Sequence, residues 1–66
     1  MSLTINGEPR QFAKPLNCSD LLQELKLGGK RVAIERNGEI VPRSRFPEQA
    51  LADGDKLEIV VAVGGG

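Results

Sequence analysis

A chain of 66 residues has room for one small domain with a single core, because at this length folding buries only about 60 % of the surface the unfolded chain exposes. Nine Lys and Arg residues balance nine Asp and Glu, so no net field draws the chain to nucleic acid or to an anionic membrane. Two Phe with no Trp or Tyr offer no stacking platform for single-stranded bases.

His is absent and Cys18 stands alone. That excludes an internal disulfide, removes the common zinc ligands and the usual general base, and argues against independent catalysis. Met1 to Phe12 lacks the apolar stretch of a secretory signal, and no later segment approaches the roughly 20 apolar residues of a membrane span. The expectation is a soluble, cytoplasmic protein that docks locally, with neither nucleic acid nor membrane as a partner.

Leu3 and Ile5 alternate with Ser2 and Thr4, Asn6-Gly7 tolerates positive φ, and Arg10 to Phe12 returns as a second strand, so the chain opens with a hairpin. Pro15 interrupts regular structure, and Asn17 or Ser19 can accept from the free N–H groups of a helix start, with Asp20 in the positive first turn. Leu21, Leu22, Leu25 and Leu27 then predict one amphipathic helix from Cys18 to Leu27, closed at Gly28-Gly29.

Arg31 to Arg36 reads as a strand with Val32 and Ile34 on one face. Asn37-Gly38, a strong hairpin signal, turns it into Glu39 to Val41. Pro42 and Pro47 frame Arg43-Ser44-Arg45-Phe46, predicted as a loop or short 3₁₀ turn in which Phe46 and Leu51 anchor a long connection to the core. After the turn Asp53-Gly54-Asp55, a strand from Lys56 to Val63 places Leu57, Ile59, Val61 and Val63 on one face and Glu58, Val60 and Ala62 on the other.

Strand, strand, helix, strand, strand, strand, with one helix to cover one sheet face, is an α+β arrangement. The first and last strands are suited to lie parallel at the sheet centre. On the uncovered face, Val60 and Ala62 are expected to join Ala33 and Val41, with Val63 beside them, in an exposed apolar patch that docks a partner. Arg43 and Arg45 in the connection, and Arg31 and Arg36 in the third strand, are basic groups that either meet an acidic partner or are simply solvated. Cys18, at a helix start, is a candidate reactive thiol without a second Cys or His to activate it.

Gly64-Gly65-Gly66 is the only low-complexity stretch. Three glycines cost more entropy to order than other residues and bring no side chain to a core, so a mobile tail is expected. Extended, they reach about 10 Å, which suits insertion of a terminal carboxylate into a cleft too narrow for any Cβ. They lack the Lys, the Ser/Thr and the following helix of a phosphate-binding loop. Read as structure alone, they are a frayed end.

Glu35-Arg36-Asn37-Gly38-Glu39-Ile40-Val41-Pro42, Asp53-Gly54-Asp55-Lys56-Leu57-Glu58-Ile59 and Val63-Gly64-Gly65-Gly66, in this order and at this length, resemble the thiamine-biosynthesis sulfur carrier proteins over nearly the whole chain. The resemblance implies a ubiquitin-like β-grasp over residues 1–63, a five-stranded mixed sheet with one main helix on one face, followed by a glycine tail over 64–66.

It further implies a carrier, not an enzyme. The Gly66 carboxylate would be adenylated by an ATP-dependent adenylyltransferase of the E1 type and converted to a thiocarboxylate, with Gly64, Gly65 and Gly66 inserted in the partner's active site. The sulfur would come from a donor such as a cysteine desulfurase. It would pass to thiazole synthase, which combines it with a deoxyxylulose phosphate derivative and dehydroglycine. No cofactor is expected on the chain itself, ATP being used by the activating partner. The small subunit of molybdopterin synthase, and a protein modifier joined to a partner lysine through Gly66, remain open on the same residues.

Overall fold

The computed structural model describes residues 1–62. Two two-residue turns organise it. Asn6-Gly7, at φ 51° and 83°, closes a hairpin between β1 (Ser2–Ile5) and β2 (Glu8–Gln11), and Asn37-Gly38, at φ 50° and 86°, closes another between β3 (Val32–Arg36) and β4 (Glu39–Val41). Positive φ at both turn residues matches the right-handed twist of the flanking strands, and Asn followed by Gly supplies it at low steric cost. Pro9, which cannot donate to a ladder, sits in β2, a strand at the sheet edge.

The last strand, β5 (Lys56–Val61), lies between the hairpins, so the five-stranded sheet runs β2-β1-β5-β3-β4. It pairs in parallel with β1 and antiparallel with β3. This is the mixed sheet and central parallel pair expected from the sequence.

One face of the sheet is covered. Leu3, Ile5, Ile34, Val41, Leu57 and Ile59 from the strands meet Leu16, Cys18, Leu21 and Leu22 at the helix, and Phe46 and Leu51 from the connection complete the core. Each fully buried Leu, Ile or Phe contributes about 1.5–3 kcal/mol of transfer free energy before chain entropy is set against it. Arg43–Arg45 form the expected 3₁₀ turn.

The helix α1 (Cys18–Glu24) begins as its cap residues dictate: the Asn17 side chain accepts from the Asp20 N–H, and the Asp20 carboxylate accepts from the Asn17 N–H. The remaining free donors of the first turn find partners in the long connection. Cys18 N–H donates to the Gln49 carbonyl at 3.0 Å and Ser19 N–H to that of Phe46 at 3.2 Å. The connection between β4 and β5 is therefore ordered by the helix start that it satisfies.

The helix ends sooner than the leucine pattern predicts. Leu25 caps it and Lys26 takes the left-handed conformation at φ 61°; Lys26 N–H donates to Gln23 and Leu27 N–H to Leu22. These two bonds make a Schellman closure with Lys in the position that glycine usually takes. Leu25 and Leu27 still pack against the core, though outside the helix, which is why apolar spacing extends past its end.

Asp55, 6 % exposed, joins the two halves of the sheet. Its carboxylate accepts from Arg36 Nε at 2.6 Å, Asn37 Nδ2 at 3.1 Å and the Ala52 N–H at 2.8 Å. Burial pushes its pKa up, but the hydrogen bonds from Ala52, Arg36 and Asn37, with the Arg36 charge, outweigh it and hold the carboxyl below its ordinary value. The depressed folded-state pKa means that this stabilisation is fully present above the ordinary carboxylate range and is lost as pH falls through the folded value.

Two outcomes follow for stability. Replacing Lys26 by Gly relieves the left-handed strain and should raise unfolding stability by about 0.5–1 kcal/mol, read as a higher urea midpoint at unchanged slope; a lower midpoint would contradict the closure. Asp55→Ala should cost about 2–4 kcal/mol because it leaves Arg36 and Asn37 without their shared acceptor. Acid titration of the variant should show a flatter loss of stability below pH ~4 than the parent chain.

Candidate functional site

In the sequence the glycines follow β5. Its backbone is held from both sides by more than ladder bonds. On the β1 side the regular ladder reaches Asn6 N–H, which donates to the Leu57 carbonyl at 2.9 Å. The Asn6 side chain then carries it one step further, accepting from the Ile59 N–H at 2.7 Å and donating to the Ile59 carbonyl at 3.1 Å. An amide side chain stands in for the next peptide of a strand that has already turned away.

On the β3 side Asn37 Oδ1 accepts from the Lys56 N–H at 2.9 Å, and its own N–H donates to the Lys56 carbonyl at 2.8 Å. Each Asn-Gly turn thus supplies both the hairpin geometry and a clamp on β5. At the far end, Ala62 N–H donates to the Arg31 carbonyl at 2.8 Å, so the hydrogen-bonded ladder persists to the last described residue.

The uncovered face of the sheet is shaped by register. Ala33 lies opposite Val60, Glu35 opposite Glu58, and Glu35 also opposite Ile40. Val60 is 64 % exposed and Ile40 69 % exposed, with Ala33 and Ala62 exposed nearby. Of the described residues expected on this patch, Val60, Ala62 and Ala33 are there and Val41 is not. Val41 pairs with Ile34 and is buried in the core, a one-residue error of parity that moves a side chain to the opposite face.

Ile40 takes its place. Counting outward from the Asn37-Gly38 turn finds this: Arg36 opposes Glu39, Glu35 opposes Ile40, and Ile34 opposes Val41, so an inward Ile34 requires an inward Val41. Val63, Gly64, Gly65 and Gly66 lie outside the described residues.

The other candidates separate by environment. Arg36 is engaged by Asp55 and is a structural cation. Arg43 and Arg45 are exposed; Arg45 stands 4.0 Å from Glu48, a surface pair of little energetic weight. Cys18 is fully buried. Burial pushes its thiol pKa up; the Arg36 charge lowers it and the Asp55 charge raises it, with a net rise. A protonated thiol inside the core is no nucleophile, so the candidate reactive thiol is a packing residue. Among the described residues no group of His, Cys, Asp and Glu is arranged to hold a metal ion, and no helix is long and apolar enough to cross a membrane.

Comparison with known proteins agrees with this architecture. The chain is 42 % identical over 65 residues to the sulfur carrier protein ThiS of Bacillus subtilis, covering 97 % of this chain and 98 % of that one. It is 52 % identical over 66 residues to a thiazole synthase of Paramagnetospirillum magneticum, all of this chain but only 20 % of the relative. The crystal structure of the thiamine biosynthesis protein ThiS from Geobacter metallireducens superposes with a TM-score of 0.83 at 39 % identity, over the full length of both chains. That likeness identifies the fold as the ubiquitin-like β-grasp. The ThiS family model matches residues 3–66, and the chain belongs to the ThiS family.

Proposed function

We propose that this chain is a sulfur carrier of thiamine biosynthesis whose cargo site is the Gly66 carboxylate. The observation that carries the reading is the family match, which runs through residue 66 and so includes the three glycines. Likeness to a named sulfur carrier over nearly the whole of both chains supports it.

The chemistry explains the division of labour. A carboxylate is a poor electrophile, because attack must expel oxide and the anion repels nucleophiles. When its oxygen attacks the α-phosphorus of ATP and pyrophosphate leaves, the resulting acyl adenylate has AMP as leaving group, and a sulfur nucleophile displaces it to give a thiocarboxylate. The described residues offer no exposed thiol or imidazole for these steps, so an adenylyltransferase of the E1 type performs them. Where the donor is a cysteine desulfurase, its persulfide displaces AMP to give an acyl disulfide, and a thiol reductant then cleaves the S–S bond to leave the thiocarboxylate. The product is a nucleophilic sulfur at the end of a segment without side chains, delivered to thiazole synthase.

The domain serves recognition. Gly64, Gly65 and Gly66 enter the partner's active site, while the uncovered sheet face around Val60, Ala33, Ala62 and Ile40 docks the partner's surface. A relative named thiazole synthase carries the equivalent of this whole chain within its own length, which supports thiazole synthase as one of the partners.

Incubation with ATP, the adenylating enzyme and a sulfur source should raise the intact mass by the difference between sulfur and oxygen. Deleting Gly66 should abolish the gain and leave the thermal midpoint unchanged. An unaltered mass with a demonstrably active partner would contradict the carrier role, and a covalent conjugate to protein lysines would make the chain a modifier instead.

A further inference from the structure

On the uncovered face the register sets two carboxylates against each other. Glu35 in β3 lies directly opposite Glu58 in β5, and both are exposed. Side chains so placed have Cβ atoms about 5 Å apart, and like charges there destabilise a sheet. Neither carboxylate has a cation within 4.0 Å among the described residues. Lys56 shares the face two residues along β5 from Glu58 and still forms no ion pair with either. Repulsion is therefore built into the central strand pair with no local relief.

The pair has apolar neighbours. Ile40 stands beside Glu35 in the next strand, and one step further toward the end of β5 come Ala33 and Val60. The uncovered face is thus an apolar surface around Val60, bordered on the side nearer the start of β5 by two carboxylates. Resting on the docking role proposed for this face, we infer that it receives a surface of thiazole synthase that combines an apolar contact for Val60 with an Arg or Lys side chain lodged between Glu35 and Glu58.

Charge complementarity selects this partner chemistry. A guanidinium or ammonium group placed there relieves the repulsion and gains two charge-assisted hydrogen bonds. It also fixes orientation: because the pair marks the end of the apolar surface nearer the start of β5, a partner that satisfies both contacts can lie along the strand in one direction only.

The test uses purified thiazole synthase from the same organism and measures its affinity for the intact chain and four variants. Glu58→Lys replaces the repulsion by an internal Glu–Lys pair, so it should fold with an equal or higher thermal midpoint and bind about tenfold or more weakly. Glu58→Gln should fall between it and the parent chain. Glu24→Lys, on α1 across the sheet, makes the same change of net charge and should leave affinity unchanged.

Val60→Asp tests the face itself and should also weaken binding. Weakening by Val60→Asp with full affinity for Glu58→Lys would overturn the acidic-pair contact while keeping the docking face. Full affinity for both would overturn the docking role. Equal weakening by Glu24→Lys would show long-range charge attraction in place of a local contact and would likewise overturn the inference.

Discussion

The hold on β5 is the constraint from which the rest of the structure follows. This strand is the last in sequence among those described and lies between two hairpins that are formed from distant parts of the chain. Such a central strand relies on long-range contacts, and its parallel partnership with β1 spans only the pairs Thr4–Lys56 and Ile5–Leu57. Asn6 and Asn37 supplement that short ladder with side-chain bonds to the backbone of Ile59 and Lys56. Asp55 then fastens the entry to β5 against Arg36 and Asn37.

This hold divides the molecule by function. Every core-forming side chain of the sheet points to the face closed by α1 and the connection, leaving the other face free of structural duty. The uncovered face has an apolar centre at Val60 and a charged border at Glu35 and Glu58, and it is the surface to which docking is assigned. Cys18, the chain's single thiol, lies on the closed side of this division, fully buried in the core.

Much of this was legible in the residues. Asn6-Gly7, Asn37-Gly38 and the alternation around Leu57 and Ile59 specified both hairpins and the inward face of β5, because local turn chemistry and period-two patterning agree there. The end of α1 was not legible. Leu25 and Leu27 satisfy the core from a non-helical backbone, so an apolar spacing meant for tertiary packing looked like continued helix, while Lys26 occupied a left-handed position that glycine would have announced. Val41 faces inward because its register partner Ile34 does, a constraint that the residues of β4 alone do not show.

The side-chain clamps of Asn6 and Asn37, and the bonds that Arg36 and Asn37 give Asp55, rest on contacts between residues 18 to 53 positions apart. No local pattern encodes them. At the candidate site, the glycines announced themselves by composition, whereas the opposition of Glu35 and Glu58 emerged only once the strands were paired.

The central claim, that sulfur leaves from Gly66, is tested most directly by bypassing activation altogether. A chain prepared chemically with a thiocarboxylate at Gly66 would be mixed with thiazole synthase and its small-molecule substrates, with no other sulfur source present, and followed by intact mass and product analysis. The account predicts that the chain returns to the carboxylate mass as one thiazole forms for each chain consumed. Retention of sulfur by the chain, or thiazole formation at the same rate from the unmodified carboxylate form, would contradict it.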